Sequence, residues 1–237
     1  MSKKAILKKI DVLFCYRRLP EMLAKSSIKD QKKFYKKMKS LQLAIYNLDE
    51  YLETVWQCKP KKLRKYWNRI FDALDYFEVK DKKKICADIF RYQKRELDMR
   101  KMKYPMKMKF EDIYRIKSCD VKLLRKLIYL ADPKLNKWVK EKDWNNFDLI
   151  TEVNDDIEDV FEDMEIYNCN RFLIGMVIKG KKKSIKQFKD FISNIEQSNR
   201  KNLKKMSSNK SRRKVALWTV EQVKDTLKLL KRQVAKI

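Results

Sequence analysis

Apolar residues recur at spacings of three and four along almost the whole chain, as in Leu41, Ile45, Leu48, Leu52, Val55 and Trp56. A period near 3.6, with polar residues on the opposite side, is the pattern of an amphipathic helix. It predicts helices over about 4–16, 30–57, 61–77, 81–100, 110–131, 134–141, 145–167, 184–206 and 217–235. Pro20, Pro60, Pro105 and Pro133 fall in the gaps between them, where a missing backbone N–H does no harm. Only two glycines and four prolines occur in 237 residues, so the turn chemistry of hairpins and sandwiches is nearly absent. The expected fold class is all-α.

The length suits one sizeable core, and no linker divides the chain. A single helical domain is expected over 1–203. Residues 204–237 would add a basic connection and a last helix packed on the same domain. The stretch Lys204 to Lys214, rich in serines and bases, is the expected mobile connection.

Sixty Lys and Arg against 32 Asp and Glu give a formal charge of +28. Such a balance invites nucleic acid, because bases along a surface release counterions from a phosphate backbone. The lysines are spread along the whole chain, however, and Asn and Ile are also plentiful, so a solvated basic surface is the first expectation. Anionic membrane and nucleic acid remain as partners for that surface. No run of ~18 apolar residues occurs and the first residues lack the apolar core of a signal peptide, so a cytoplasmic location is expected. Cys15, Cys58, Cys86, Cys119 and Cys169 stand far apart and histidine is absent. That argues against a zinc site and a disulfide framework, and for a reducing compartment.

Against this basic background, eight acids lie between Glu152 and Glu165 with no lysine or arginine among them. Like charges at i, i+4 destabilise a helix by about a few tenths of a kcal/mol per pair, so the cluster calls for a compensating partner. Hard divalent cations are the natural one. Asp155, Asp159 and Asp163 are spaced four and four and would rise along one helix face, where their oxygens suit magnesium. Asn154, Glu158 and Glu162 form a second row one residue earlier, and the sequence leaves open which row faces inward. Asp49 and Glu53 make another i, i+4 pair on the predicted helix 30–57. Two carboxylate rows suit a diphosphate bound through metal ions, since each magnesium takes only one or two protein carboxylates plus phosphate oxygens.

These motifs resemble those of the class I isoprenoid synthases, and among them the squalene and phytoene synthases. Phe14-Cys15-Tyr16-Arg17-Arg18-Leu19-Pro20 is similar to that family's N-terminal run of aromatic, serine or arginine, leucine and proline. Asp49-Glu50-Tyr51-Leu52-Glu53, after Ala44-Ile45-Tyr46, resembles its first DxxxD motif, with Glu in the last place. Glu96 to Arg100, Tyr104 and Tyr114 to Ser118 resemble its central stretch, although Lys117 and Ser118 replace small residues. Asp155 to Asp163 is similar to its NxxxDxxxD helix, with Asp155 in place of asparagine and Phe161 where glycine or glutamate is common. The resemblance runs over roughly residues 10–200, with the two acidic motifs about a hundred residues apart.

The resemblance implies a helical bundle with a central apolar cavity and magnesium held at its mouth by Asp49, Glu53, Asp155, Asp159 and Asp163. It implies a prenyl diphosphate substrate, ionised for condensation or cyclisation. Arg17 and Arg18, and Arg171 just after the acidic helix, are candidates for the diphosphate, because the guanidinium fork matches phosphate. Phe14, Tyr16, Tyr46, Phe90 and Phe147 lie on apolar faces and are candidates for a cavity wall that shields a carbocation. No Gly-rich dinucleotide fingerprint is present, so no nicotinamide cofactor is expected. The alternative is a non-catalytic basic helical protein that binds nucleic acid or anionic membrane. Peripheral membrane contact through the basic surface, the stretch from Lys204 to Lys214 above all, is compatible with either reading.

Overall fold

The computed structural model describes residues 2–101, 108–166, 168–206 and 209–236. Tyr104 and Pro105 of the sequence reading, and Ser207 and Ser208 of the expected connection, lie outside them. Among the described residues the chain is all-helical, with thirteen α-helices and no strand. They are α1 (Lys3–Tyr16), α2 (Leu19–Ala24), α3 (Gln31–Thr54), α4 (Pro60–Leu74), α5 (Lys82–Ile85), α6 (Ala87–Met99) and α7 (Phe110–Lys117). Then follow α8 (Cys119–Ala131), α9 (Leu135–Trp138), α10 (Asn145–Glu158), α11 (Arg171–Lys179), α12 (Lys181–Lys205) and α13 (Lys210–Lys236). No described helix is long and apolar enough to cross a membrane.

The starts of these helices are written in side chains that satisfy orphan backbone donors. Ser2 accepts from the Ala5 amide, Asp30 from Lys33, Asp81 from Lys84 and Asn170 from Leu173. Pro20 and Pro60 occupy first turns, where their fixed φ is already helical. Pro20 therefore sits inside α2, a short helix that the proline had concealed from the sequence reading. Two predicted helices are each divided in two. The span 81–100 breaks at Cys86 into α5 and α6, and 110–131 breaks at Ser118 into α7 and α8.

The helices group into two compact units, residues 1–97 with 119–136, and residues 98–118 with 137–237. In the first, α3 is the central element. Its stripe Phe34, Met38, Leu41, Ile45, Leu48 and Leu52 is buried at three and four spacing. Buried Ile10 and Phe14 of α1, Ile70 and Leu74 of α4 and Leu124 and Ile128 of α8 come from the helices that pack around it. Trp67 stacks on Phe90 at 3.7 Å between ring centres and donates its indole N–H to Gln93 Oε1 at 2.7 Å, which fastens α4 to α6.

In the second unit α10 is central and packs on α13, α12, α7 and α11. Ile150, Val153, Ile157, Phe172, Phe188, Ile192, Val223 and Leu230 form its dry core. Thr226 of α13 donates to Asn154 Oδ1 at 3.0 Å, and Asn199 of α12 donates to the Ala216 carbonyl at 2.7 Å. The expected mobile connection from Lys204 to Lys214 needs correction. α12 runs to Lys205 and α13 begins at Lys210. Asn209 caps that start by accepting from the Arg212 amide, and Arg212 grips Asp143 with two bonds of 2.7 Å. Basic composition had masked a helix start.

Candidate functional site

In the first unit, the α3 stripe turns its apolar side inward and leaves Asp49 and Glu53 half-buried one turn apart. Tyr92 of α6 donates its hydroxyl to Asp49 Oδ1 at 2.5 Å. Burial, and then the charges of Asp49, Glu96 and Glu53, hold the Tyr92 phenol well above its ordinary pKa, so it stays a neutral donor. Tyr46, one turn before Glu50, is also pushed up by burial and by Glu50, Glu53 and Asp49. One turn along α6 from Tyr92, Arg95 pairs with Glu96 at 3.1 Å with both side chains buried, and its guanidinium lies 5.2 Å from the Tyr92 ring centre. The first acidic motif thus has a supporting layer of one phenol, one arginine and one further carboxylate. Sequence reasoning missed Tyr92 and Arg95; the i, i+4 spacing of Tyr92 and Glu96 was the available signal.

Arg17 and Arg18 fall at the junction of α1 and α2. Arg17 closes α1, is only 2% exposed, and its carbonyl accepts from Arg125 Nη2 at 2.9 Å. Arg18 adopts φ 61°, a left-handed conformation that side chains other than glycine rarely take, and its guanidinium reaches Glu21 at 3.3 Å. Of the aromatic candidates, Phe14 is packed edge-on against Tyr35, Phe90 stacks on Trp67, and Phe147 meets Trp144. Those three are core contacts of their own units.

In the second unit, the acidic segment differs from the continuous helix expected over 145–167. α10 ends at Glu158, Asp159 is its C-cap, and Glu162–Met164 form a separate 3-10 turn. The physical reason is the charge itself. The carboxyl end of a helix carries the negative end of its dipole, and acids placed there oppose it while also repelling one another. The i, i+4 hydrogen bonds nevertheless persist from the Asp159 amide to the Asp155 carbonyl at 2.9 Å and from the Asp163 amide to the Asp159 carbonyl at 2.8 Å.

The three aspartates then part company. Asp155 is half-buried, Asp159 is exposed and Asp163 is buried. Asp163 accepts from Asn168 Nδ2 at 2.8 Å and from Asn170 Nδ2 at 2.7 Å, which fixes its carboxylate. Burial pushes its pKa up, against those two amides and the Lys117 ammonium. Loss of hydration pushes the Asp159 carboxyl up to about 7, with repulsion from Asp155, Asp163, Glu158 and Glu162 adding to it. The register left open in the sequence is divided as well. Asn154 is buried against Thr226, whereas Glu158 and Glu162 are exposed.

Asp156, next to this row, anchors it. Fully buried, it accepts from the Tyr114 hydroxyl at 2.9 Å and the Arg171 amide at 2.8 Å, and it pairs with the Lys117 ammonium. Asn170 donates to the Asp156 carbonyl at 2.6 Å while capping α11. Arg171, proposed from sequence for the diphosphate, is 1% exposed, and its guanidinium lies 4.6 Å from the Phe110 ring centre. A side chain at Gly175 would collide with Ser184 Oγ and crowd Arg171 Nη1, so α11 and α12 meet there backbone to side chain. Desolvation lowers the Arg171 pKa, as expected for a cation held in a core.

Among the described residues no three metal-ligating side chains converge on one point. That is compatible with magnesium bound chiefly by phosphate oxygens and water, which asks for one or two protein carboxylates per ion. The half-buried Asp49 and Glu53, and the mutually repelling Asp155 and Asp159, are donors of the right hardness for it. Compared with models of protein families, with curated proteins and with solved structures, the chain matches none.

Proposed function

We propose that this protein is a magnesium-dependent, class I isoprenoid synthase-like transferase, a prenyltransferase or terpene synthase that ionises an allylic prenyl diphosphate for condensation or cyclisation. The observation that carries the reading is the acidic segment: loss of hydration and then four neighbouring carboxylates push the Asp159 pKa up to about 7, in a chain of net charge +28. Carboxylates concentrated against their own repulsion are relieved when a divalent cation binds. The order of the two acidic motifs along an all-helical chain supports the same reading.

In this account Asp49 and Glu53 are metal ligands of the first unit, and Asp155 and Asp159 are metal ligands of the second. Asp163, its two oxygens taken by Asn168 and Asn170, shapes the turn that presents Asp159. Tyr92 orients Asp49 through its short hydrogen bond. Arg18 binds diphosphate oxygens; Arg17, 2% exposed, and Arg171, enclosed by Phe110 and Gly175, serve the fold instead. When bound, magnesium would supply Lewis-acid stabilisation of the negative charge that develops on the leaving diphosphate. An apolar cavity, as the resemblance implies, would keep water from the cation.

Metal binding tests this reading without relying on turnover. The folded chain is titrated with Mn²⁺ in the presence of inorganic pyrophosphate, and bound metal is followed by water-proton relaxation. Asp49→Asn and Asp159→Asn should each weaken pyrophosphate-dependent metal binding by about tenfold or more. Unchanged binding in both variants would refute the reading.

A further inference from the structure

From the α11–α12 turn we infer that the protein docks on anionic lipid bilayers through an aliphatic pair followed by a run of lysines. The last turn of α11 carries Val177 and Ile178, which are 78% and 50% exposed although Phe172, Leu173 and Met176 of the same helix pack against the core of its unit. Large aliphatic side chains scattered singly over a surface need no explanation, but two adjacent ones just before a chain reversal do. Gly180, at φ +84°, reverses the chain immediately afterwards and has open space where a side chain would stand. The reversal is therefore unencumbered.

Lysines follow this pair closely. Lys181, Lys182 and Lys183 are all exposed in the first turn of α12, and Lys179 directly follows the pair. No acid occurs anywhere from Arg171 to Lys189. Three cations in a first turn oppose the helix dipole, where acids would be preferred. Their placement works against the stability of α12, so it is explained better by something they meet than by the fold.

Charge alone would suit nucleic acid equally well. A phosphate backbone, however, offers nothing to two exposed aliphatic side chains beside the lysines. A bilayer interface satisfies both features: Val177 and Ile178 enter the boundary with the acyl chains while the lysine stems reach along it and leave their ammonium groups among anionic headgroups. The inference does not depend on the enzymatic reading. It also moves membrane contact away from the stretch Lys204 to Lys214, whose Arg212 is bound to Asp143.

The test is co-sedimentation of the full chain with phosphatidylcholine vesicles, with and without about one third phosphatidylserine. Wild type should bind the anionic vesicles at least about tenfold more tightly than the neutral ones. Val177→Ser/Ile178→Ser should lose most of that binding at unchanged charge. Lys181→Gln/Lys182→Gln/Lys183→Gln should lose it at unchanged apolar surface, and circular dichroism should report the same helix content for both. Neutral and anionic vesicles bound alike, or not at all, would overturn the proposal. So would a serine variant that binds like wild type; retained binding of duplex DNA by that variant would then assign the lysines to nucleic acid.

Discussion

The side-chain amide of Asn170 donates to Asp163 Oδ2 at 2.7 Å and, through the same nitrogen, to the Asp156 carbonyl at 2.6 Å. One residue thereby closes the acidic turn onto the end of α10, while its oxygen caps α11. Asn170→Ala would remove the cap and leave buried partners unsatisfied. A loss of about 2–3 kcal/mol is expected, from the usual cost of a lost cap together with that of an unpaired buried group. Urea unfolding measures it; a loss within about 0.5 kcal/mol would show the turn to be held elsewhere.

Asp156 should prove still more sensitive. Its replacement by alanine strands Lys117, the Tyr114 hydroxyl and the Arg171 amide together. Breaking a buried ion pair from one side typically costs about 3–5 kcal/mol. Tyr114→Phe removes one of the three donors and should cost about 1–2 kcal/mol. Comparison of the two variants by denaturant titration tests whether the hub is shared in this way.

Asp159 predicts a gain rather than a loss. Its folded pKa, about 7, lies above the ordinary carboxylate value, so the folded state holds a proton that the unfolded chain has released. Its contribution is therefore favourable below the unfolded pKa and is lost as pH rises from about 4 through about 7. Asp159→Asn should be more stable than wild type at neutral pH, and the two should converge near pH 4. Because the residue is exposed, solvent screening reduces the effect to on the order of 1 kcal/mol, or about 2–4 °C in Tm. Thermal unfolding across that pH range provides the check, and magnesium with pyrophosphate should abolish the difference in sign.

Tyr92 acts through Asp49. Removal of its hydroxyl in Tyr92→Phe should weaken pyrophosphate-dependent metal binding by about tenfold, in keeping with the usual effect of a residue that orients a ligand. Folding should survive, because the ring keeps its place beside Arg95. Metal affinity equal to wild type would show that Asp49 needs no orienting partner.

Helix, core face and both acidic motifs were legible in the sequence because each rests on local spacing. The α3 stripe from Phe34 to Leu52 is a period of 3.6 and nothing more. The end of α10 was not legible in the same way, since the apolar pattern runs on through Val160 while the charge that halts the helix acts through repulsion and the dipole. Asp156 and Asp155 are neighbours of one type, and only packing against α7 and α11 makes the first a buried anchor. Lys117 departs in the sequence from the pattern that the chain was seen to resemble, yet it is the cation that partners Asp156. The burial of Arg171 was not legible either: an arginine after an acidic helix suggests phosphate, while its long stem and planar head also fill a core beside Phe110.

The most direct test of the proposed function is pyrophosphate release from farnesyl and geranylgeranyl diphosphate, with magnesium and with chelator, by wild type, Asp49→Asn and Asp159→Asn. The account predicts release by wild type that stops with chelator and falls by at least about a hundredfold in either variant. Absence of release by folded wild type from either substrate, or release that survives chelation and both substitutions, would contradict it.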